Sequence, residues 1–215
     1  MDKVAPVMFH VEHALDFSRS IISEKDLNVS RGTYEKLKIY ERLLLKWQKA
    51  VNLVSPGTLN HYWQRHVLDS LQIIPHIRGK NILDVGSGGG FPGMILAMVG
   101  DWDVICVDAD RRKMLFLAEA ARMTSTKVHL KTCRIEKLQL GGFDTVCARG
   151  FAELTKLLDI MVQRQSEYGV FLKGAKLNAE LEKAGEKFDF KYETHPSRTS
   201  ENGCILVVHS IKKRK

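Results

Sequence analysis

The sequence predicts an α/β fold: a mostly parallel sheet, preceded by a helical extension and closed by an antiparallel hairpin. From Asn81 onward, short apolar runs alternate with amphipathic helical stretches, the pattern of right-handed βαβ units. No strand pattern precedes Asn81, whereas residues 191–195 and 204–211 read as two strands joined by a loop rich in Ser, Thr, Asn and Gly. We therefore expect a helical extension at 1–75 and a sheet domain at 76–215.

One amphipathic helix stands out in the extension. Between residues 34 and 51, apolar side chains recur at steps of three and four, which is typical of a helix with one buried face. After the breaker Ser55-Pro56-Gly57, a second helix is predicted over residues 58–77. Basic residues crowd the other faces of the first helix: Lys36, Lys38, Arg42, Lys46 and Lys49. They indicate either an ordinary solvated surface or a face that contacts phosphates.

The first predicted strand, Asn81–Val85, leads directly into a glycine-rich turn. Gly86, Gly88 and Gly90 can adopt backbone angles closed to other residues, and without a Cβ they let a ligand lie against the main chain. Pro92 suits the first turn of the helix that follows, because it has no N–H to lose. Strand, glycine turn and helix N-terminus together form the first half of a nucleotide-binding βαβ unit.

Two carboxylates bear on which nucleotide this unit favours. The glycines also satisfy the dinucleotide pattern G-x-G-x-x-G, so they leave that alternative open. Asp84, near the end of the strand, would repel a pyrophosphate but attract the ammonium group of S-adenosylmethionine. Asp108 ends the second strand 22 residues beyond Gly86, close to the offset expected for a carboxylate that binds a ribose. Asp108 could otherwise serve only as the N-cap of the next helix.

The later strands also end in candidate site residues. Ligands of open α/β sheets bind outside the carboxyl ends of the strands. Strands three, four and five are followed by residues 134–136, 149–150 and 173–174, respectively. Within the first of these stretches, Ile135 and Glu136 can offer an apolar wall and a backbone N–H to an adenine ring.

The strand ends supply no evident general acid or base. Methyltransferases that act on exocyclic amines place an Asn/Asp-Pro-Pro-aromatic run after strand four, and cytosine-C5 enzymes use a thiolate that follows a proline. This chain has Cys147-Ala-Arg149-Gly there. Guanine N7 holds an in-plane lone pair that can attack a sulfonium methyl without a base, so we expect catalysis by orientation. Arg149 would orient the cofactor carboxylate or bind guanine O6, or it is a surface ion-pair residue.

Composition restricts the class of protein and its partners. With 44% hydrophobic and 27% charged residues, the chain reads as soluble and globular. It has no apolar run of about 20 residues and no signal-peptide pattern, so we expect a cytoplasmic protein that does not enter membranes. The four cysteines are widely spaced, which favours buried thiols over disulfides or a metal site. A net charge of +8 favours a polyanionic partner.

Several short motifs together resemble a known family. They are Asn52-Leu53, Arg65-His66-x-x-Asp69-Ser70-Leu71, residues 84–93, Arg134-Ile-Glu136, Phe143-Asp-x-x-x-x-Arg149 and Leu172-Lys173-Gly174. In this order and spacing they resemble the bacterial small-subunit rRNA guanine-N7 methyltransferases, also called glucose-inhibited division protein B, from about residue 34 onward. The resemblance implies a class I, Rossmann-like fold with a seven-stranded sheet. It also implies methyl transfer from S-adenosylmethionine to N7 of a guanine in 16S rRNA.

The resemblance also implies particular site residues. It places cofactor contacts at Gly86, Phe91, Ile135, Glu136 and Arg149, to which the strand-end pattern adds Asp84, Gly88 and Asp108. RNA contacts are expected at Arg65, His66 and Lys173 and across the helical extension, with 16S rRNA or the small ribosomal subunit as partner. His66 could instead be a half-buried structural histidine, and Arg65 could simply pair with Asp69 on the helix surface. No catalytic base or metal ligand is expected, and the chain is expected to be a monomer.

Two other classes of function stay open at this point. One is a small-molecule methyltransferase or a dehydrogenase whose basic surface is incidental. The other is a non-catalytic rRNA-binding assembly factor, which the missing acid and base residues would fit.

Overall fold

One mixed sheet of seven strands organises the computed structural model, which describes residues 23–214. The strands are β1 (Asn81–Val85), β2 (Asp103–Asp108), β3 (His129–Thr132), β4 (Thr145–Arg149), β5 (Tyr168–Lys173), β6 (Phe188–Pro196) and β7 (Cys204–Lys213). Their spatial order is β3-β2-β1-β4-β5-β7-β6. The first five strands run parallel, and β7 runs antiparallel to both β5 and β6. The predicted sheet with its antiparallel C-terminal hairpin is confirmed.

The helices are α1 (Glu24–Leu27), α2 (Arg31–Gln48), α3 (Asp69–Leu71), α4 (Gly93–Val99), α5 (Arg111–Met123), α6 (Leu154–Gln163) and α7 (Leu177–Gly185). Helix α2 begins after Ser30, whose hydroxyl accepts the Thr33 N–H at 3.1 Å.

The prediction of one continuous helix over residues 58–77 is wrong. The chain instead passes through a 3-10 helix (Pro56–His61), a π-helix (Trp63–Leu68), α3 and a second 3-10 helix (Ile74–His76). In the π-helical turn the Asp69 N–H bonds the Gln64 carbonyl, five residues earlier. Such wide turns occur often at functional sites.

The helical extension and the sheet share one hydrophobic core. Leu37, Tyr40 and Leu44 of α2 are fully buried in the same cluster as Ile95 of α4 and Phe116 of α5. The core is therefore continuous across the boundary expected at residue 75. Residues 1–22 of the predicted extension, and Lys215 at the other end of the chain, lie outside the described residues.

The extension also positions the glycine turn after β1. The Tyr40 hydroxyl donates a hydrogen bond to the Gly89 carbonyl. A Cβ added to Gly89 would lie 2.9 Å from the Leu53 carbonyl oxygen, so a larger residue would push the extension away from the turn. The helical extension therefore fixes the glycine turn through contacts made by Tyr40 and Leu53.

All four cysteines are free thiols, and the burial that the sequence predicted is complete for two of them. Cys106 and Cys147 are buried in the sheet, whereas Cys133 and Cys204 are partly buried.

Candidate active site

A small and a large cavity lie side by side at the carboxyl ends of the parallel strands. The small cavity, of about 240 Å³, is lined by Gly86, Val107, Asp108, Ala109, Cys133, Arg134, Ile135, Glu136, Phe151 and Lys156. The large cavity, of about 480 Å³, is lined by residues that include Leu53, Val54, Thr58, Arg65, His66, Asp69, Arg149, Gly150, Leu172, Lys173, Ser197 and Cys204. Because Gly150 lines one cavity and Phe151 the other, the two adjoin.

Asp108 is fixed at the rim of the small cavity. Its Oδ2 accepts the Gly88 N–H at 2.9 Å, and its Oδ1 accepts the Asp110 N–H at 2.8 Å. Asp110, not Asp108, caps α5, since its carboxylate accepts the Arg112 N–H at 2.8 Å. The alternative that Asp108 serves as a helix cap is therefore wrong. Gly88 itself lines neither cavity and contributes its N–H to hold Asp108 in place.

The opposite wall of the small cavity follows β3. Ile135 is a buried apolar surface, whereas Glu136 is exposed and pairs with Lys156 at 3.0 Å. A hydrogen bond from its own backbone N–H, and then the bond to Lys156, lower the pKa of Glu136. This carboxylate therefore stays charged at neutral pH.

Phe151 also lines the small cavity, and the sequence analysis did not identify it. A Cβ on Gly86 would lie 2.0 Å from the Phe151 ring, so the ring packs directly on this glycine, which has φ of +68°. The ammonium of Lys156 lies 5.3 Å from the ring centroid. Neither residue belongs to a pattern that marks a site, so only the folded chain identifies them.

The residues around the small cavity fit a nucleoside. Ile135 offers an apolar face to a base, Asp108 offers acceptor oxygens to ribose hydroxyls, and the side-chain-free main chain of the turn allows close approach. Four predicted cofactor residues, Gly86, Asp108, Ile135 and Glu136, meet here.

Asp84 was expected to meet the ligand but lies beneath the turn. Its carboxylate is fully buried, and Oδ2 accepts the Gly93 N–H at the start of α4 at 3.2 Å. Burial raises the pKa of Asp84 to about 6, against the hydrogen bonds from Ser87 and Gly93. Side chains alternate along a strand, and Asp84 shares the α4 face of β1 with Ile82. The predicted direct contact with an ammonium group is therefore absent from this geometry.

Phe91 also lies below the site rather than in it. It is 3% exposed and lines neither cavity. Its ring stands 4.9 Å from the His66 ring and 4.9 Å from the Arg149 guanidinium carbon. It thus supports two residues of the large cavity from underneath.

Arg149 is the centre of a network in the large cavity. Its Nη1 donates to the Arg65 carbonyl at 2.7 Å and to Asp69 Oδ2 at 3.2 Å, and its Nη2 lies 2.9 Å from His66 Nδ1. The Arg149 side chain is 20% exposed. Desolvation lowers its pKa, and Asp69 opposes that effect. The surface ion pair considered for Arg149 is therefore a partly buried one, inside the cavity.

His66 is a neutral hydrogen-bond acceptor in this network. A guanidinium can only donate, so Nδ1 of His66 accepts, and Nε2 then donates to the Thr58 hydroxyl at 3.0 Å. Burial, followed by the charge of Arg149, lowers the pKa of His66 to about 3. Both ring nitrogens are used, so His66 has no lone pair left for a proton in transit.

Asp69 joins the extension to the C-terminal hairpin. Its Oδ1 accepts the Thr199 hydroxyl at 2.6 Å and the Gln72 amide at 2.8 Å. Arg65 donates to the Thr199 carbonyl at 3.0 Å. The Arg65–Asp69 surface pair considered from the sequence is therefore wrong: Asp69 pairs with Arg149. The sequence showed no signal for Thr199, which lies 130 residues from its partner.

Lys173 lines the large cavity, but its ammonium is already bonded. It donates to Glu180 at 2.6 Å and to the Ala152 carbonyl at 2.9 Å, and its side chain is 7% exposed. Glu180 also accepts the Leu154 N–H at 2.7 Å, at the start of α6. Lys173 thus fixes the loop that follows β4, and an RNA phosphate would have to compete with Glu180 for it.

The sheet order, the side-chain-free turn and the adjoining cavities define a class I methyltransferase. Solved structures with this fold include ribosomal protein L11 methylase from Lactobacillus delbrueckii subsp. bulgaricus (TM-score 0.52, 20% identity, 69% of this chain and 77% of that one). A second is a TehB-like SAM-dependent methyltransferase from Corynebacterium glutamicum (TM-score 0.54, 16% identity, 80% and 98%). At these identities the likeness concerns the fold alone.

The family model described as rRNA small subunit methyltransferase G matches residues 33–203, and the chain belongs to this family. Relatives named ribosomal RNA small subunit methyltransferase G agree. That of Rhodospirillum rubrum is 42% identical over 193 residues, covering 86% of this chain and 94% of its own. That of Granulibacter bethesdensis is 38% identical over 213 residues, covering 96% and 100%. The resemblance inferred from the motifs is confirmed, and the protein is a methyltransferase.

No helix within residues 23–214 has the length and apolarity needed to cross a membrane. No group of three or more His, Cys, Asp or Glu side chains in the same part of the chain could hold a metal ion.

Proposed function

We propose that this enzyme transfers a methyl group from S-adenosylmethionine to N7 of a guanine in 16S rRNA, acting in the cytoplasm as a monomer. Membership of the rRNA small subunit methyltransferase G family supports methyl transfer to this RNA. The observation that supports the N7 assignment is the large cavity, whose wall holds Arg149 in a fixed position and a His66 that is neutral and fully bonded.

The small cavity would hold the nucleoside end of the methyl donor. Asp108 would accept hydrogen bonds from ribose hydroxyls, Ile135 would pack on the adenine, and Glu136 would lie at its edge. S-adenosylmethionine supplies an electrophilic methyl group on a sulfonium. Asp84 and Phe91 would support the site without contacting the ligand. Asp84 holds the start of α4, and the Phe91 ring packs against the Arg149 guanidinium.

The large cavity would hold the guanine. Arg149 has five N–H groups, of which three are bonded within the protein, so two remain for a ligand. Arginine commonly bonds both O6 and N7 of guanine. Here N7 must stay free to react, so Arg149 would bond O6 only. This use of Arg149 is favoured over binding the donor's carboxylate, since Arg149 lines the large cavity and not the small one.

Methylation at N7 requires no proton to be removed, which suits these residues. The attacking lone pair lies in the plane of the ring, and the acceptor becomes cationic as the bond forms. A bare arginine beside it would oppose that charge, but Asp69 lies 3.2 Å from Nη1 of Arg149 and offsets it. Catalysis would then depend on placement and on the exclusion of water by apolar walls such as Leu53 and Leu172.

The test is to incubate the protein with S-adenosylmethionine and small subunits from cells that lack it, and then map the modified bases. The expected product is one 7-methylguanine in 16S rRNA, detected by cleavage chemistry specific for that base and by mass spectrometry. Methylation of a carbon or an exocyclic amine would reject the N7 assignment. Absence of methyl transfer to these subunits would reject 16S rRNA as the substrate.

A further inference from the structure

One stretch of the chain is depleted of negative charge. Residues 42–68 contain no Asp or Glu, while Arg42 and Lys46 on α2, Lys49 at the C-cap of α2 and Arg65 in the π-helix carry positive charge. The first three cations are exposed, and none of the carboxylates that the structure describes forms an ion pair with them. Earlier on the same helix, by contrast, Lys38 pairs with Glu35 at 2.7 Å.

The three cations lie on one side of α2. Their spacing of four and three residues places them on one solvent-facing side, spanning about 10 Å along the helix axis. Leu45, 45% exposed, lies between them, while the opposite side of α2 is buried in the core. We call this side the basic face of α2, defined by Arg42, Lys46 and Lys49.

The basic face ends next to the large cavity. Gln48, in the last turn of α2, accepts the N–H groups of Leu53 and Val54 at 2.9 and 3.1 Å, and it donates to the Val54 carbonyl at 2.8 Å. Leu53 and Val54 line the large cavity, together with Ser55 and Thr58. One glutamine therefore fastens the end of the helix to the wall of the cavity.

We propose that the basic face of α2 is the surface on which the ribose-phosphate backbone of 16S rRNA docks while the target guanine occupies the large cavity. This inference rests on the proposed function. Three unpaired cations in a row complement a polyanion with regularly spaced phosphates, and the acid-free segment runs from them into the cavity that takes the base. RNA is favoured over an acidic protein because the cavity requires a nucleobase beside the docked chain.

The test compares two triple variants with the same loss of charge. The first is Arg42→Gln, Lys46→Gln, Lys49→Gln. The control is Lys187→Gln, Lys191→Gln, Lys212→Gln. These three exposed lysines lie near Tyr168, the first residue of β5, and therefore at the end of the sheet opposite the cavities. Binding to 16S rRNA transcribed in vitro is measured over a range of salt concentrations without methyl donor. The slope of log affinity against log salt is expected to become shallower by about two in the first variant and to stay at the wild-type value in the control.

Turnover gives a second measurement. The first variant is expected to raise KM for rRNA while kcat at saturating rRNA and the affinity for S-adenosylhomocysteine stay unchanged, because no cavity residue is altered. Equal slopes and KM values in the two variants would reject docking on α2 and leave the methyltransferase assignment standing. A loss seen with assembled subunits but not with naked rRNA would assign the face to a ribosomal protein and overturn the proposal.

A failure of the proposed function would look different. If wild type binds 16S rRNA and the first variant shows the shallower slope, but wild type transfers no methyl group to the rRNA, methylation is rejected and docking on α2 is supported.

Discussion

Arg149 and Asp69 are 80 residues apart in the chain, and Nη1 of the first lies 3.2 Å from Oδ2 of the second. Asp69 belongs to α3, within the helical extension, and Arg149 ends β4 of the sheet. Through Thr199, the same carboxylate also reaches the C-terminal hairpin. The large cavity is thus assembled from three separate parts of the chain around one ion pair.

Asp69→Asn tests this pair. The amide oxygen can still accept from Thr199, but the NH₂ group then faces Arg149 and the charge that offsets the guanidinium is gone. We expect the single-turnover rate of methyl transfer to fall by about 10- to 100-fold, the range for a hydrogen bond to a charged group. The affinity for S-adenosylhomocysteine, measured by calorimetry, should stay within twofold of wild type.

The control for Asp69→Asn is Asp189→Asn, which removes an exposed ion pair with Arg214 on the hairpin. It should leave the rate unchanged. A rate in Asp69→Asn equal to that of the control would show that the pair does not position Arg149 for the reaction.

Arg149→Ala and Arg149→Lys test the role of the guanidinium. We expect the alanine variant to lose at least about 100-fold in rate, since misplacement of reacting groups costs that much. The lysine variant should remain impaired, because an ammonium cannot reproduce the fork that bonds Arg65, Asp69 and His66. Circular dichroism should show a retained fold. An active Arg149→Ala enzyme would remove this residue from the site.

His66 has a predictable effect on pH dependence. Its pKa of about 3 in the folded chain lies below the ordinary 6.5, so as pH falls the unfolded chain takes up the proton first. The stability associated with neutral His66 is complete above pH 6.5 and is lost as pH falls toward 3. At pH 5 the free energy of unfolding should be lower by about 2 kcal/mol than at high pH. Denaturant unfolding at pH 5 and 7.5 should show this difference in wild type and a smaller one in His66→Asn. If the rate of methyl transfer instead changed with pH around 6.5 in wild type but not in His66→Asn, His66 would act as a general base.

Asp108→Asn and Asp103→Asn compare a carboxylate at the cavity end of β2 with one at the opposite end. Asp108 lies at the rim of the small cavity, whereas Asp103, at the start of the strand, is exposed and pairs with Lys127. Loss of the Asp108 charge weakens the acceptor for the Gly88 N–H and for a ribose, so affinity for S-adenosylhomocysteine should fall about tenfold or more. Asp103→Asn should bind as wild type does. Equal affinities would exclude Asp108 as a cofactor residue.

Asp84→Asn separates a structural role from a binding one. The pKa of about 6 in the folded chain lies above the ordinary 3.8, so the stability that protonation provides is present below pH 3.8 and lost as pH rises through 6. At pH 8 the buried charge costs about 3 kcal/mol, which the neutral amide avoids. The free energy of unfolding of Asp84→Asn, relative to wild type, should therefore rise between pH 4 and pH 8. A large loss of S-adenosylhomocysteine affinity without this change would restore the ammonium contact expected from the sequence.

The sequence determined the parts of this protein that depend on local rules. Apolar runs and glycines located β1 and its turn, and the rule that ligands bind at carboxyl ends of strands identified Gly86, Asp108, Ile135 and Glu136, which meet in one cavity. The buried position of Asp84 could also have been found locally, because side chains two apart on a strand share a face.

Tertiary structure decided which side chains meet. Asp69 could have paired with Arg65, four residues away, but the π-helical turn and the docking of the extension bring it to Arg149 and Thr199 instead. Phe151 enters the small cavity only because the loop after β4 folds over Gly86. A strand or a turn is specified by neighbours in the chain, whereas a cavity wall is a set of contacts between distant segments, whose partners are fixed only when the shared core packs.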